Sequence, residues 1–136
     1  MSSMLLNEIE KWNVFTGKQY GRPAKKEARV TLGAYGTFYL NGQAFIELGS
    51  PAAVEMLFDA GRRRIGLRPV APMAPHAFKI VPHTKGGYYR LSAAAFCHHH
   101  GIFHKGTLLF HGVTFDDNGM MRFDLVNTTI VTRGAR

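Results

Sequence analysis

The chain has 136 residues, 46% of them apolar, enough to fill one compact domain or two very small units sharing a core, which excludes disorder away from the ends. Seventeen Lys and Arg against nine Asp and Glu give a formal charge of +8, which points to a polyanionic partner or an anionic surface. No run of about eighteen apolar residues marks a membrane span, the opening MSSMLLNEIEKW has acids where a signal peptide needs a basic stretch, and the lone Cys97 excludes an internal disulfide. The expectation is a cytoplasmic protein with no membrane partner.

Residues 1–28 read as a short helix followed by an arm. Leu5, Leu6, Ile9 and Trp12 fall at helical spacing, so LLNEIEKW predicts an amphipathic helix. The stretch that follows has Gly17, Gly21 and Pro23, no apolar periodicity, and Lys18, Arg22, Lys25 and Lys26 against Glu27, which reads as a flexible basic arm.

From Arg29 the pattern tightens into a first unit over 29–70. RVTL and TFYL are strands joined by the turn GAYG. Asn41 then caps a short helix that buries Ala44, Phe45 and Leu48 and stops at Gly49. AVEMLFD alternates through Val54, Met56 and Phe58, turns at Ala60 and Gly61, and returns as RRRIGLRP with Ile65 and Leu67 on one side. The order is β, β, short helix, β, β.

Residues 71–77 carry on the proline-rich run PVAPMAPHA and read as an extended linker. Over 78–126 the unit recurs. FKIV and YYRL flank PHTKGG, Ser92 takes the capping place of Asn41, AAAFCHHHG is the helix, and TLLFHGVTFD pairs with MMRFDLV across the turn Asp117, Asn118, Gly119. Residues 127–136 form a tail. TLGAYGTFYLNGQAF at 31–45 and VPHTKGGYYRLSAAAF at 81–96 thus carry the same pattern twice, an internal duplication of two units that share a core. The fold class is mainly β (α+β), a small β-barrel-like domain.

The stretch GTFYLNGQAFIELGSPAAVEMLFDAGRRRIGLRPV, residues 36–70, resembles the swapped-hairpin domain of bacterial AbrB, MazE and MraZ type proteins, and the tandem arrangement over about 29–126 resembles MraZ. The resemblance implies two ββαββ swapped-hairpin units, sequence-specific binding of double-stranded DNA, transcriptional regulation and assembly into a homo-oligomer. In MraZ-like proteins an Asp and a DNA-contacting Arg flank the glycine turn of the first hairpin. Here Gly33 to Thr37 has neither, and the second copy, His83 to Gly87, supplies only Lys85.

DNA contacts are therefore expected from two other groups. The arm, with Lys18, Arg22, Lys25, Lys26 and Arg29, can track phosphates or a minor groove. Arg62, Arg63, Arg64 and Arg68 lie on or beside a hairpin, and alternation puts Arg62, Arg64 and Arg68 opposite Ile65 and Leu67, where guanidinium forks match guanine edges in a major groove. The same charges also suit an edge hairpin kept soluble, or a protein-interaction module of antitoxin or assembly type.

His98, His99, His100, His104 and His111 crowd around Cys97. Consecutive helical histidines diverge, so no metal or other cofactor is expected, and their roles are helix-end cations and half-buried polar groups. No GxSxG, Walker loop or HExxH is present, and Asp116, Asp117 and Asp124 lie in and around a turn as solvated acids, so no catalysis is expected.

Overall fold

The computed structural model describes residues 27–83 and 87–131. Ten antiparallel strands and two six-residue helices follow in chain order: β1 Val30–Leu32, β2 Thr37–Leu40, α1 Gly42–Glu47, β3 Ala53–Asp59, β4 Arg64–Val70, β5 Phe78–Pro82, β6 Tyr89–Ser92, α2 Ala94–His99, β7 Thr107–Phe110, β8 Thr114–Phe115, β9 Met121–Asp124 and β10 Thr128–Val131. The expected N-terminal helix and the arm residues Lys18, Arg22, Lys25 and Lys26 lie outside the described residues, as does Lys85. Neither described helix is long and apolar enough to cross a membrane.

The strands form one curled sheet in the order β10-β7-β1-β2-β6-β5-β3-β4-β9-β8. Strands adjacent in sequence sit at opposite ends of that order, yet only residues 111–113 separate β7 from β8 and only 125–127 separate β9 from β10. Such a connection, four Cα–Cα steps, spans at most about 14 Å, so the sheet must curl until its ends meet in a half-barrel. His111 N–H donates to the Asn127 carbonyl at 2.9 Å and Leu125 N–H to that of Arg63 at 2.8 Å, which fastens the crossings.

Period-2 alternation fills the interior. Val30, Leu32, Phe38, Leu40, Ile65, Leu67, Leu91, Met121 and Phe123 are fully buried. Phe110 of β7 and Phe123 of β9 meet with ring centroids 4.6 Å apart, and Phe38 of β2 lies 6.3 and 6.0 Å from them, so one aromatic cluster joins the centre of the sheet to both its ends. Such pairs add about 0.5–1.5 kcal/mol beyond the area they bury.

The first helix is capped as the sequence predicts: Asn41 Oδ1 accepts from Ala44 N at 2.8 Å and from Arg29 N at 2.9 Å, while its Nδ2 donates to the Glu27 carbonyl. Ala44 and Leu48 are buried, but Phe45 is only half-buried, stacked on Tyr89 of β6 at 3.7 Å. The capping expected of Ser92 does not occur. Ser92 ends β6, the cap position falls on Ala93, and α2 starts with no side-chain cap.

Two further expectations are corrected. The pairing of TLLFHGVTFD with MMRFDLV across the Asp117, Asn118, Gly119 turn holds only next to the turn, where the two-residue β8 pairs with β9; TLLF, as β7, pairs instead with β10, inside the presumed tail, and the other edge of β9 pairs with β4. Residues 71–77 are not extended either, since Ala74 N–H donates to Ala71 and Ala77 N–H to Ala74, closing two successive turns.

Each half of the chain engages the other. β3 pairs with β5 and β7 with β1, while β2 and β6 lie side by side. In the β1–β2 turn, Gly36 has φ +89, and a Cβ on it would stand 2.6 Å from Ala94 Cα at the start of α2. In the β5–β6 turn, the Gly87 carbonyl lies 3.6 Å from a Cβ built on Gly42, at the start of α1.

Candidate nucleic-acid interface

The arginine cluster occupies the β3–β4 hairpin. Asp59 Oδ1 accepts from Arg62 N at 3.2 Å and so organises the turn. Arg63 follows with φ +53, a left-handed conformation that costs a non-glycine residue about 1–2 kcal/mol. Its carbonyl receives Leu125 N–H, and its guanidinium stands 5.7 Å over the Phe58 ring. Arg63 thus clasps the hairpin to the crossing after β9 and turns its charge back over an aromatic.

Past the turn, Ile65 and Leu67 point inward, and Arg64, Gly66 and Arg68 take the outer face, as alternation predicts. Register then decides the electrostatics. Glu55 stands directly opposite Arg68 and Asp124 directly opposite Arg64. Arg68 Nε donates to Glu55 Oε1 at 3.1 Å, Arg64 Nε to Asp124 Oδ1 at 3.0 Å, and Arg62 Nη1 lies 3.5 Å from Asp59 Oδ2. The expected arginine row is therefore a chequer of opposite charges. These pairs are solvated and contribute only about 0–1 kcal/mol each, so a stronger anion can displace the carboxylates.

Arg29 is exposed and lines a groove with Glu27, Glu47 and His111, again beside acids. Among the described residues, nine Lys and Arg stand against seven Asp and Glu, leaving the β body at +2. The other eight bases, Lys18, Arg22, Lys25, Lys26 and Lys85 among them, have two acids for company and carry the remaining +6.

The histidines do not gather. His98 and His99 are exposed, and His111 Nε2 shares a hydrogen bond with Thr129 Oγ1 at 2.6 Å on β10. His100 lies against Phe58 and Phe96, centroids 4.6 and 4.7 Å away, where desolvation and then the neighbouring His99 hold its pKa below the ordinary value. Among the described residues, no three His, Cys, Asp or Glu side chains are placed to share a metal ion. Burial pushes the Cys97 thiol up, the reverse of what an activated thiolate needs.

Asp116 is a structural acid. Met120 and Asn118 backbone N–H groups donate to its Oδ1 at 3.0 and 2.9 Å and hold its pKa below the ordinary value. Beside it stands Arg122 of β9, a residue the sequence reading passed over, which shares the outer face with Arg64. Compared with protein-family models, with curated proteins and with solved structures, the chain matches none.

Proposed function

We propose that this chain is a bacterial transcriptional regulator that binds double-stranded DNA sequence-specifically, works as a homo-oligomer in the cytoplasm, and uses neither catalysis nor a cofactor. In this reading its fold is two tandem ββαββ units of the swapped-hairpin kind, the second taking in β10 and carrying β8–β9 as an insertion. The exchange of β3 onto β5 and of β7 onto β1 supports that architecture, as do the two turns that each pack on the other half's helix.

One observation carries the functional reading: the β body is near neutral, and three quarters of the net charge falls on residues 1–26, 84–86 and 132–136. A nearly neutral platform with concentrated basic segments suits a polyanion whose phosphates each release a counterion on contact. Base reading falls to Arg62, Arg64 and Arg68, whose solvated ion pairs can be exchanged for base edges. Selection from a random duplex pool at about 0.15 M salt tests it. The expected result is enrichment of one motif; retention of the pool without enrichment would leave only charge, and no retention would end the reading.

The ion pairing of the hairpin favours a second reading. A face whose arginines already have cross-strand partners suits a protein surface of alternating charge as well as a groove, as in an antitoxin-like or assembly module.

A further inference from the structure

Gly66 sits in the middle of β4, opposite Leu57 on one side and Arg122 on the other. Having no side chain, it leaves a trough in the outer face of the sheet, and a Cβ there would come within 3.1 Å of Met120 Sδ. The trough, of about 310 Å³, has Leu57 and Met120 in its lining together with Arg62, Arg64 and Arg122. A second cavity of about 400 Å³ also takes Arg64 and Arg122 into its wall, with Thr114 and Asp124. The two arginines form a ridge common to both.

Arg122 is incompletely satisfied there. Its Nε is closed off from solvent and has no hydrogen-bond partner, and its Nη2 lies 3.6 Å from Asp116 Oδ2, beyond hydrogen-bond length. Asp116 takes its two backbone N–H groups on Oδ1, so the carboxylate is held by its own turn rather than by Arg122. A guanidinium carries five N–H donors. Among the described residues, Arg64 hydrogen-bonds a carboxylate through Nε alone, and Arg62 keeps Asp59 at 3.5 Å. The three arginines thus offer far more donors than their three aspartates use, around a donor that is buried and unpaired.

We propose that the Arg64–Arg122 ridge is an oxyanion site that takes one phosphate group. Three guanidiniums arranged around one trough match the several acceptor oxygens of a phosphate better than the two of a carboxylate. The aspartates leave the site near neutral, so recognition comes from donor geometry, and affinity for the bare anion falls at about 1–10 mM. The site does not depend on the DNA reading. A phosphate could come from a nucleic-acid backbone or from a free phosphorylated molecule, and the test separates them.

The full-length chain is titrated with inorganic phosphate against chloride at constant ionic strength, with the arginine Nε–H resonances read by nitrogen-15 NMR. The Arg64 and Arg122 resonances shift saturably. In Arg122→Gln the Arg64 shift becomes linear and small. Gly66→Ala, whose Cβ comes closest to the flexible end of Met120 and makes ordinary contact with Leu57 Cβ at 3.7 Å, keeps every arginine and weakens phosphate by about fivefold or more, so it carries the test if Arg122→Gln does not fold. A duplex that displaces the phosphate identifies a backbone source. A duplex that binds without displacing it identifies a free phosphorylated ligand, and saturation by phosphate with no duplex binding keeps the site while the DNA reading falls. Shifts that do not saturate, or that persist unchanged in both variants, overturn the site.

Discussion

The two halves of the chain begin alike and end differently. Each opens with a hairpin and a six-residue helix, but β3 and β4 close the first half as a hairpin of two seven-residue strands, while β7 reaches past an inserted ribbon to pair with β10. The inserted β8–β9 ribbon lies on β4, at the far end of the sheet, so it is the second half that curls the sheet and brings Phe110 to Phe123. A duplicated sequence pattern therefore does not require two equivalent structures. The first half supplies a well-capped, locally determined frame, and the second supplies the closure and, in Asp124, the partner of Arg64, while Arg62 and Arg68 pair with the first half's own Asp59 and Glu55.

The largest test of that division is in the core. Phe38 is fully buried between Phe110 and Phe123, and Phe96 is buried beside Phe58, whereas Phe45 is half-buried against the margin of the core and stacks on Tyr89. Phe38→Ala and Phe96→Ala should each cost about 3–5 kcal/mol, and Phe45→Ala clearly less, about 1–3 kcal/mol. Denaturant midpoints at constant slope measure this; equal losses at Phe45 and Phe96 would restore the equivalence of the halves.

Next comes the contact between halves. Gly36→Ala puts a Cβ 2.6 Å from backbone of α2 at a positive φ, so it should destabilise by about 1–3 kcal/mol or more, while Gly87→Ala, with open space around it, should pay only the conformational strain, about 1 kcal/mol. Thermal melts of the two variants give the comparison directly.

Smaller effects separate the helix starts. Asn41→Ala removes a cap that also holds the chain at Arg29 and Glu27 and should cost about 0.5–2 kcal/mol; Ser92→Ala, with no cap to lose, should stay within about 0.5 kcal/mol.

The smallest is a pH effect confined to the second half. Desolvation, and then the neighbouring His99, hold the folded-state pKa of His100 below the ordinary 6.5. Above that value the residue does not affect stability. As pH falls below it the unfolded chain takes up the proton first, and stability declines until the folded-state pKa is passed. His100→Phe should flatten the fall in melting temperature between about pH 7 and pH 5.5. Asp116, with its lowered pKa, acts only in more acidic solution, near and below its ordinary 3.8, where loss of its charge costs stability.

What the sequence made legible was local. The β1–β2 turn, the Asn41 cap and the inward pair Ile65 and Leu67 follow from turn chemistry and alternation within a few residues. Counting outward from the Ala60–Gly61 turn puts Glu55 opposite Gly66, two places short of Arg68, because the turn also takes in Arg62 and Arg63; that Glu55 and Arg68 lie near one another on facing strands was still within reach of the sequence. Asp124, sixty residues from Arg64, was not, because the register between remote strands depends on how the whole sheet curls. The β7–β10 pairing was hidden for the same reason: Asp117, Asn118 and Gly119 are a strong local turn that does join β8 to β9, and a local signal gives no hint that TLLF, further upstream, belongs elsewhere. The prolines of 71–77 suggest extension, but hydrogen bonds to Ala71 and Ala74 bend the segment twice.

Salt dependence of duplex binding by the full-length chain tests the central claim most directly, that basic residues outside a near-neutral β body carry polyanion binding. Measured between about 0.05 and 0.2 M salt, Lys25→Ala with Lys26→Ala should lower the log–log slope by about 1.8, since each lost phosphate contact removes about 0.9. Arg68→Ala, whose charge Glu55 already offsets, should leave the slope nearly unchanged and reduce only affinity for the selected motif. A slope unaltered by the lysine changes, or one that falls as far with Arg68→Ala, would contradict the account.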